Sequence, residues 1–380
     1  MMKRHPSKDH RGRTTAGILV LVALFLAAGC AKDDNPAALT SNTVPAVLEP
    51  LKAFQPLLVQ QHAESYAELP YPETSDLIGR LSMLPDPEGF DYAVQADTGS
   101  PVMYAFETTM TLRGRDYPQL IYAFFYPERP MPLGPEDNFF EWTSRFLYSG
   151  LIDGKVIRIT LDAEKRFPLF VEVVRNCGCS WQFYANKAVD DAARQEFEDQ
   201  GTPYPGLGKP DAPHDVQYVW VLPEDLPSAR DHVVVVAEEG WGASPHHTLA
   251  ACTSYEQWLA NGPAVGTGVL YVPDDAEGLS LPAGTLEVRP LSRLNYETLR
   301  TLPAGGSDQP VGIFDGFGYV WNAYSPLTKL MRALGAKEFP GTPRDPMHLE
   351  VVHETMDFWA PSLYERFIYL PESIFGPPEG

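Results

Sequence analysis

The sequence predicts an α+β fold, a largely antiparallel sheet or sheets with flanking helices, arranged as one large domain or two packed subdomains. Three observations predict it. Runs of alternating apolar and polar residues recur between residues 101 and 273, broken by Pro, Gly and Asp, as in antiparallel strands. Other stretches carry apolar residues at helical spacing. A chain of 380 residues with 44% hydrophobic and 12% aromatic content has ample material for a core.

The elements follow in chain order. Residues 1–29 read as a signal peptide. Lys3, Arg4, Lys8, Arg11 and Arg13 face one acid, Asp9, and lead into the apolar stretch Ala16 to Leu26. Those eleven residues span only ~16 Å as a helix, short of the ~20 apolar residues that a membrane span needs. Ala27, Ala28 and Gly29 then precede Cys30. This ending resembles the lipobox of bacterial lipoproteins, in which the cysteine is acylated and becomes the first residue of the mature protein. Where that family usually has Leu, three positions before the cysteine, this chain has Ala27. The resemblance implies lipidation at Cys30, with palmitate among the acyl groups, and a body tethered to a membrane outside the cytoplasm. In a bacterium with two membranes, Ala31 rather than Asp after the cysteine resembles outer-membrane sorting, with the body facing the periplasm.

Residues 30–45 form a lipidated flexible linker in this reading, because AKDDNPAALTSNTVP is too polar and small to offset its ordering entropy. Residues 46–200 are expected to hold a helical start plus an antiparallel meander. The helical start covers Ala46 to Leu84, with Thr74 or Ser75 capping its second piece, DLIGRLSML. The meander comprises PVMYAFETTMTLRG, PQLIYAFFYPER, KVIRITLD and FPLFVEVVRN, and a short acidic helix runs from Asp190 to Gln200. Gly201 to Asp215, rich in Pro and Gly, is a long loop or a boundary. Residues 201–380 form a second α+β part, with strands VQYVWVLP, HVVVVAEEG and GVLYVP and a helix in TSYEQWLA. A helix PLTKLMRALG and a final helix from Pro346 to Trp359 are expected near the end. In the latter, Leu349, Val352, Met356 and Trp359 make one stripe, with Asp345 as cap.

Charge excludes some partners. The chain carries −21, and loss of the first 29 residues takes it to about −25. Such a body repels nucleic acid and anionic membrane surfaces, so the membrane is a partner only through the lipid anchor. No protein partner is named by any motif.

The most pointed chemical feature is Asn176-Cys177-Gly178-Cys179-Ser180 after the run VEVV. Residues two apart in an extended chain project to one face, so both sulfurs can meet one partner. Cys252 follows the pair His246-His247 by a few residues. Cys177, Cys179, Cys252, His246 and His247 together make a ligand set suited to zinc or copper(I), if loops about seventy residues apart approach one another. The same sulfurs also suit a disulfide outside the cytoplasm, with one thiol left over, or a redox or nucleophilic thiol.

A weaker metal candidate is His353-Glu354-Thr355-Met356-Asp357, which resembles the HExxH helix of zinc peptidases with Asp357 in place of the second histidine. A helical surface pair of His353 with Asp357 or Glu350 is the alternative. GIFDGFG lacks a dinucleotide-binding spacing, PDDAEG lacks the calcium-loop pattern, and no GxSxG elbow appears. The aromatics Tyr122, Phe124, Phe125, Tyr126, Trp181, Phe183 and Tyr184 are expected to pack as core. The sequence thus points to a membrane-anchored binding or assembly module rather than an enzyme, with metal binding through the Cys/His cluster as an added expectation. The alternative is a thiol- or metal-dependent hydrolase or redox enzyme.

Overall fold

The computed structural model describes residues 49–61, 77–84, 93–127, 152–175, 181–209, 217–222, 232–237, 250–261, 268–274, 286–295, 350–351 and 356–378, with 298 and 333 singly. Strands dominate them, which corrects the α+β expectation. Eleven strands make one mixed sheet, and the helices are short pieces against it.

The first correction falls on residues 46–84. Helix α1 covers only Glu49–Ala53, and the chain then enters strand β1, Leu57–Gln61. Pro56 explains the stop, because it lacks an N–H for the helix and pushes its predecessor toward extended backbone. A second segment read as helical contains strand β2, Arg80–Leu84, which pairs antiparallel with β3, Ala93–Asp97. Both runs are short and apolar, a pattern that fits buried strand and buried helix alike.

The meander follows as β4 (Val102–Leu112), β5 (Arg115–Tyr126), β6 (Asp153–Leu161), β7 (Pro168–Arg175) and β8 (Trp181–Ala185), each antiparallel to the one before. Arg113 and Gly114 join β4 to β5 with φ of 52° and 68°, the left-handed pair that a two-residue hairpin needs. Helix α2, Lys187–Asp199, then carries the chain to β9, Gln217–Val221, which lies parallel to β8. Asn186 caps α2, accepting from the Ala188 N–H at 3.1 Å while donating to the Pro168 carbonyl at 2.8 Å. Asn186→Ala is therefore expected to cost about 1–2 kcal/mol in chemical denaturation, since it removes a cap and a buried bond together.

The remaining strands are β10 (Val233–Ala237), β11 (Ala250–Ser254), β12 (Gly268–Pro273) and β13 (Glu287–Asn295), with helix α3 at Tyr255–Ala260. The sheet order is β11-β10-β1-β12-β13-β4-β5-β6-β7-β8-β9, so strands from before and after residue 201 share one sheet. The pairs β1/β10, β12/β13, β13/β4 and β8/β9 are parallel.

The final helix expected at Pro346–Trp359 is also corrected. Glu350–Val351 and Met356–Asp357 are strands β14 and β15, paired antiparallel, with a turn at Phe358 and Trp359. A stripe spaced three, four and three does not outweigh the β-preferring Val351, Val352 and Thr355 around it. The helices come later, as α4 (Ser362–Phe367) and α5 (Glu372–Phe375). Of the expected helix PLTKLMRALG only Ala333 falls among the described residues, and it is helical; the rest lies outside them.

The sheet is curled. The Tyr126 hydroxyl on β5 donates to Gln60 Oε1 on β1 at 2.7 Å, although the two strands stand four places apart in the sheet. A flat sheet would hold them ~19 Å apart at its usual strand spacing. The concave face packs Leu58, Met103, Leu120, Tyr122, Phe124, Ile157, Val173, Val235 and Tyr271 into one core. On the opposite face of β4–β8, α4 and α5 add Tyr364, Phe367 and Phe375 to Phe170, Trp181 and Phe183. Trp258 of α3 packs with Leu57, Val234 and Leu270 in a third cluster. This cover explains why β6 and β7 are buried along their whole length. Arg113, at the β4–β5 turn, binds the Leu370 and Gly376 carbonyls at 3.2 and 2.7 Å, holding the C-terminal segment on the sheet.

Candidate functional site

Strands β6 and β7 carry buried charge on both faces, and the two clusters differ in whether their polar atoms are satisfied. On the helix-covered face, Arg158 and Glu172 form a two-point ion pair. Arg158 Nε reaches Oε2 at 2.8 Å and Nη2 reaches Oε1 at 2.6 Å, and neither side chain is exposed to solvent. Trp181 Nε1 donates to the same carboxylate at 3.1 Å and the Tyr364 hydroxyl at 2.6 Å. Arg158 Nη1 donates to the Phe358 carbonyl at 2.5 Å, and the guanidinium lies 3.7 Å from the Phe358 ring centroid. Gln119 Nε2 continues the chain to the Tyr364 hydroxyl and Thr160 Oγ1. Four donors fill a carboxylate's acceptor positions, so this cluster has no position for a substrate. It is a stitch that joins β6, β7, β8 and α4.

On the concave face the balance is different. Asp153, Lys155 and Arg175 are all buried. Arg175 Nη2 lies 2.5 Å from Asp153 Oδ2, and Asp153 Oδ1 accepts the Gly154 N–H at 2.9 Å. Lys155 stands directly across from Arg175 on β7 and from Phe124 on β5. Among the described residues its Nζ has no hydrogen-bond partner. Burial, then the charge of Arg175, push the amine down to about 8, against an opposing pull from Asp153. A solvent-shielded ammonium with three donors and no acceptor is costly, so the position calls for an acceptor.

This cluster sits at a defined end of the sheet. Strands β1, β5, β7 and β10 run one way, and β4, β6, β8, β9, β11, β12 and β13 run the other. Gln61, Tyr126, Arg175 and Ala237 therefore leave the sheet where Asp153, Trp181 and Ala250 enter it. Gln60 and Tyr126 contribute their hydrogen bond to the same end.

The residues singled out from sequence fall as follows. Cys252 lies on β11 opposite Val235, as a buried free thiol in the concave core. Burial alone pushes its pKa up, and an apolar setting of this kind keeps a thiol protonated and unreactive. Asp357 is on β15, so it does not share a helical face with His353. Cys30, Cys177, Cys179, His246, His247 and His353 lie outside the described residues. The strands that flank residues 176–180 and 238–249 have their joined ends at the Lys155 end of the sheet. Among the described residues no three His, Cys, Asp or Glu side chains converge as a metal site. Tyr122, Phe124, Phe125, Tyr126, Trp181, Phe183 and Tyr184 are all buried.

Sequence reasoning missed Lys155, although a signal was present. In KVIRITLD the lysine is in phase with Ile157, Ile159 and Leu161, so a charge stands on the strand's apolar face. Compared with models of protein families, with curated proteins and with solved structures, the chain matches none.

Proposed function

We propose that this chain is a lipid-anchored, extracytoplasmic binding module, acylated on Cys30, that takes a small ligand at the end of the curled sheet where Asp153, Lys155 and Arg175 lie. The observation that carries the binding reading is the buried Lys155 amine without an acceptor. A charge held out of water at a stability cost is a mark of a site more often than of a scaffold. The anchor reading rests on the basic start, the short apolar stretch and the small residues before Cys30.

Two measurements test the two parts. Radiolabelled palmitate is expected to enter the mature protein and to be lost in Cys30→Ser, whereas label that survives the substitution, or a mature terminus elsewhere, would remove the anchor. For binding, a small-molecule panel is screened for compounds that raise the melting temperature of the mature protein. Stabilising compounds should slow amide exchange at the Asp153 end of β6 and the Arg175 end of β7. Protection confined to other strands would place the site elsewhere.

A further inference from the structure

We propose that the ligand is a small monocarboxylate with an apolar body, its carboxylate received by the Lys155 amine. This rests on the binding reading above and names its ligand class.

The charge count selects the head group. Asp153 is paired with Arg175, and among the described residues no acceptor meets the Lys155 amine, so the trio itself carries one positive charge in excess. A single negative charge neutralises it. A dianion would leave a surplus charge in a place that water does not reach, which is the more costly state. Among the described residues, the charged groups that bear on Lys155 are Arg175 from β7 and Asp153 from its own strand. The facing strand β5 brings Phe124 and Tyr126, and β1 brings Gln60.

The surroundings select the body. Phe124 lies across from Lys155, and Ile157 and Val173 lie one step deeper on the same concave face. A carboxylate held by Lys155 at the ends of β5 and β7 would therefore border the apolar side chains of the concave core, which suits an alkyl or aryl group. Arg175 adds positive potential from across the strand pair without giving up Asp153.

Calorimetry on the mature protein, with hexanoate and benzoate as probes and hexanol and sulfate as controls, tests the proposal. Both carboxylates are expected to bind. Sulfate should not bind, and hexanol should bind far more weakly than hexanoate. Lys155→Met should weaken hexanoate about 10- to 100-fold, the usual cost of removing a charged hydrogen bond, and Lys155→Gln should do the same. In the unsubstituted protein, hexanoate affinity should fall about tenfold from pH 7 to pH 9, as the free amine loses its proton around 8, and should be flat over that range in Lys155→Met. Hexanol binding as tightly as hexanoate at the same end would overturn the carboxylate assignment and leave the binding reading standing. Equal binding by wild type and both variants, or preference for sulfate, would do the same. Failure of every probe at millimolar concentration, alcohol included, would remove both.

Discussion

Arg158→Met is expected to destabilise the protein by about 3–5 kcal/mol in equilibrium denaturation, the range seen when one partner of a buried ion pair is removed. The loss comes less from the attraction than from what remains. Glu172 would keep two donors, Trp181 and Tyr364, while holding a full negative charge with no solvent exposure. The Phe358 carbonyl would lose its donor as well. The double variant Arg158→Met with Glu172→Met should recover much of the loss, because it removes both charges and leaves hydroxyl and indole donors, which cost less to bury. A double variant as unstable as the single one would show that the pair itself, and not the orphaned charge, carries the energy.

Lys155→Met is expected to stabilise the protein, by up to about 3 kcal/mol at pH 7. That bound follows from the drop of the amine from 10.5 to about 8, at ~1.4 kcal/mol for each tenfold change. Below pH 8 Lys155 is protonated in both folded and unfolded chains, and the folded state bears the full burial penalty. Between about 8 and 10.5 the folded state gives up its proton first, so the unfolded state binds more protons and wild-type stability rises with pH. The advantage of Lys155→Met should thus be largest below pH 8 and shrink to nothing near 10.5, read as the difference between the two denaturation curves. A gain that does not change with pH would mean that packing, not charge, separates the variants. If the variant is more stable yet binds less, Lys155 is retained for its ligand rather than for the fold.

The strands of the meander were legible because their apolar runs are long and closed by Pro, Gly or Asp, which leaves few alternatives to antiparallel neighbours. Residues 57–61 and 80–84 were not, because five apolar-rich residues fit either period and their partners lie far along the chain. The parallel pairs were equally hidden, since local pattern says nothing about which distant strand lies alongside. At the site, the visible candidates were thiols and imidazoles, chosen by chemical type. Cys252 proved to be a core residue, and the buried amine with an unmet demand among the described residues belongs to a lysine that no motif marks. Its only trace is phase, a cation in step with isoleucines, and phase becomes informative only once the strand's neighbours are known.

The position of β1 dictates when this protein can become whole. Leu57 pairs with Val234, and Leu58 with Tyr271, so a segment made early must wait for partners made late. Such distant closures are slow, because loop entropy is spent before any contact repays it. The meander from β4 to β8, built from adjacent segments, is expected to assemble before β1 finds its partners. Closure of the concave core is then the last event of folding, and a chain stopped short of residue 268 would carry an apolar strand with an unclaimed edge, the kind of surface that folding catalysts and proteases recognise.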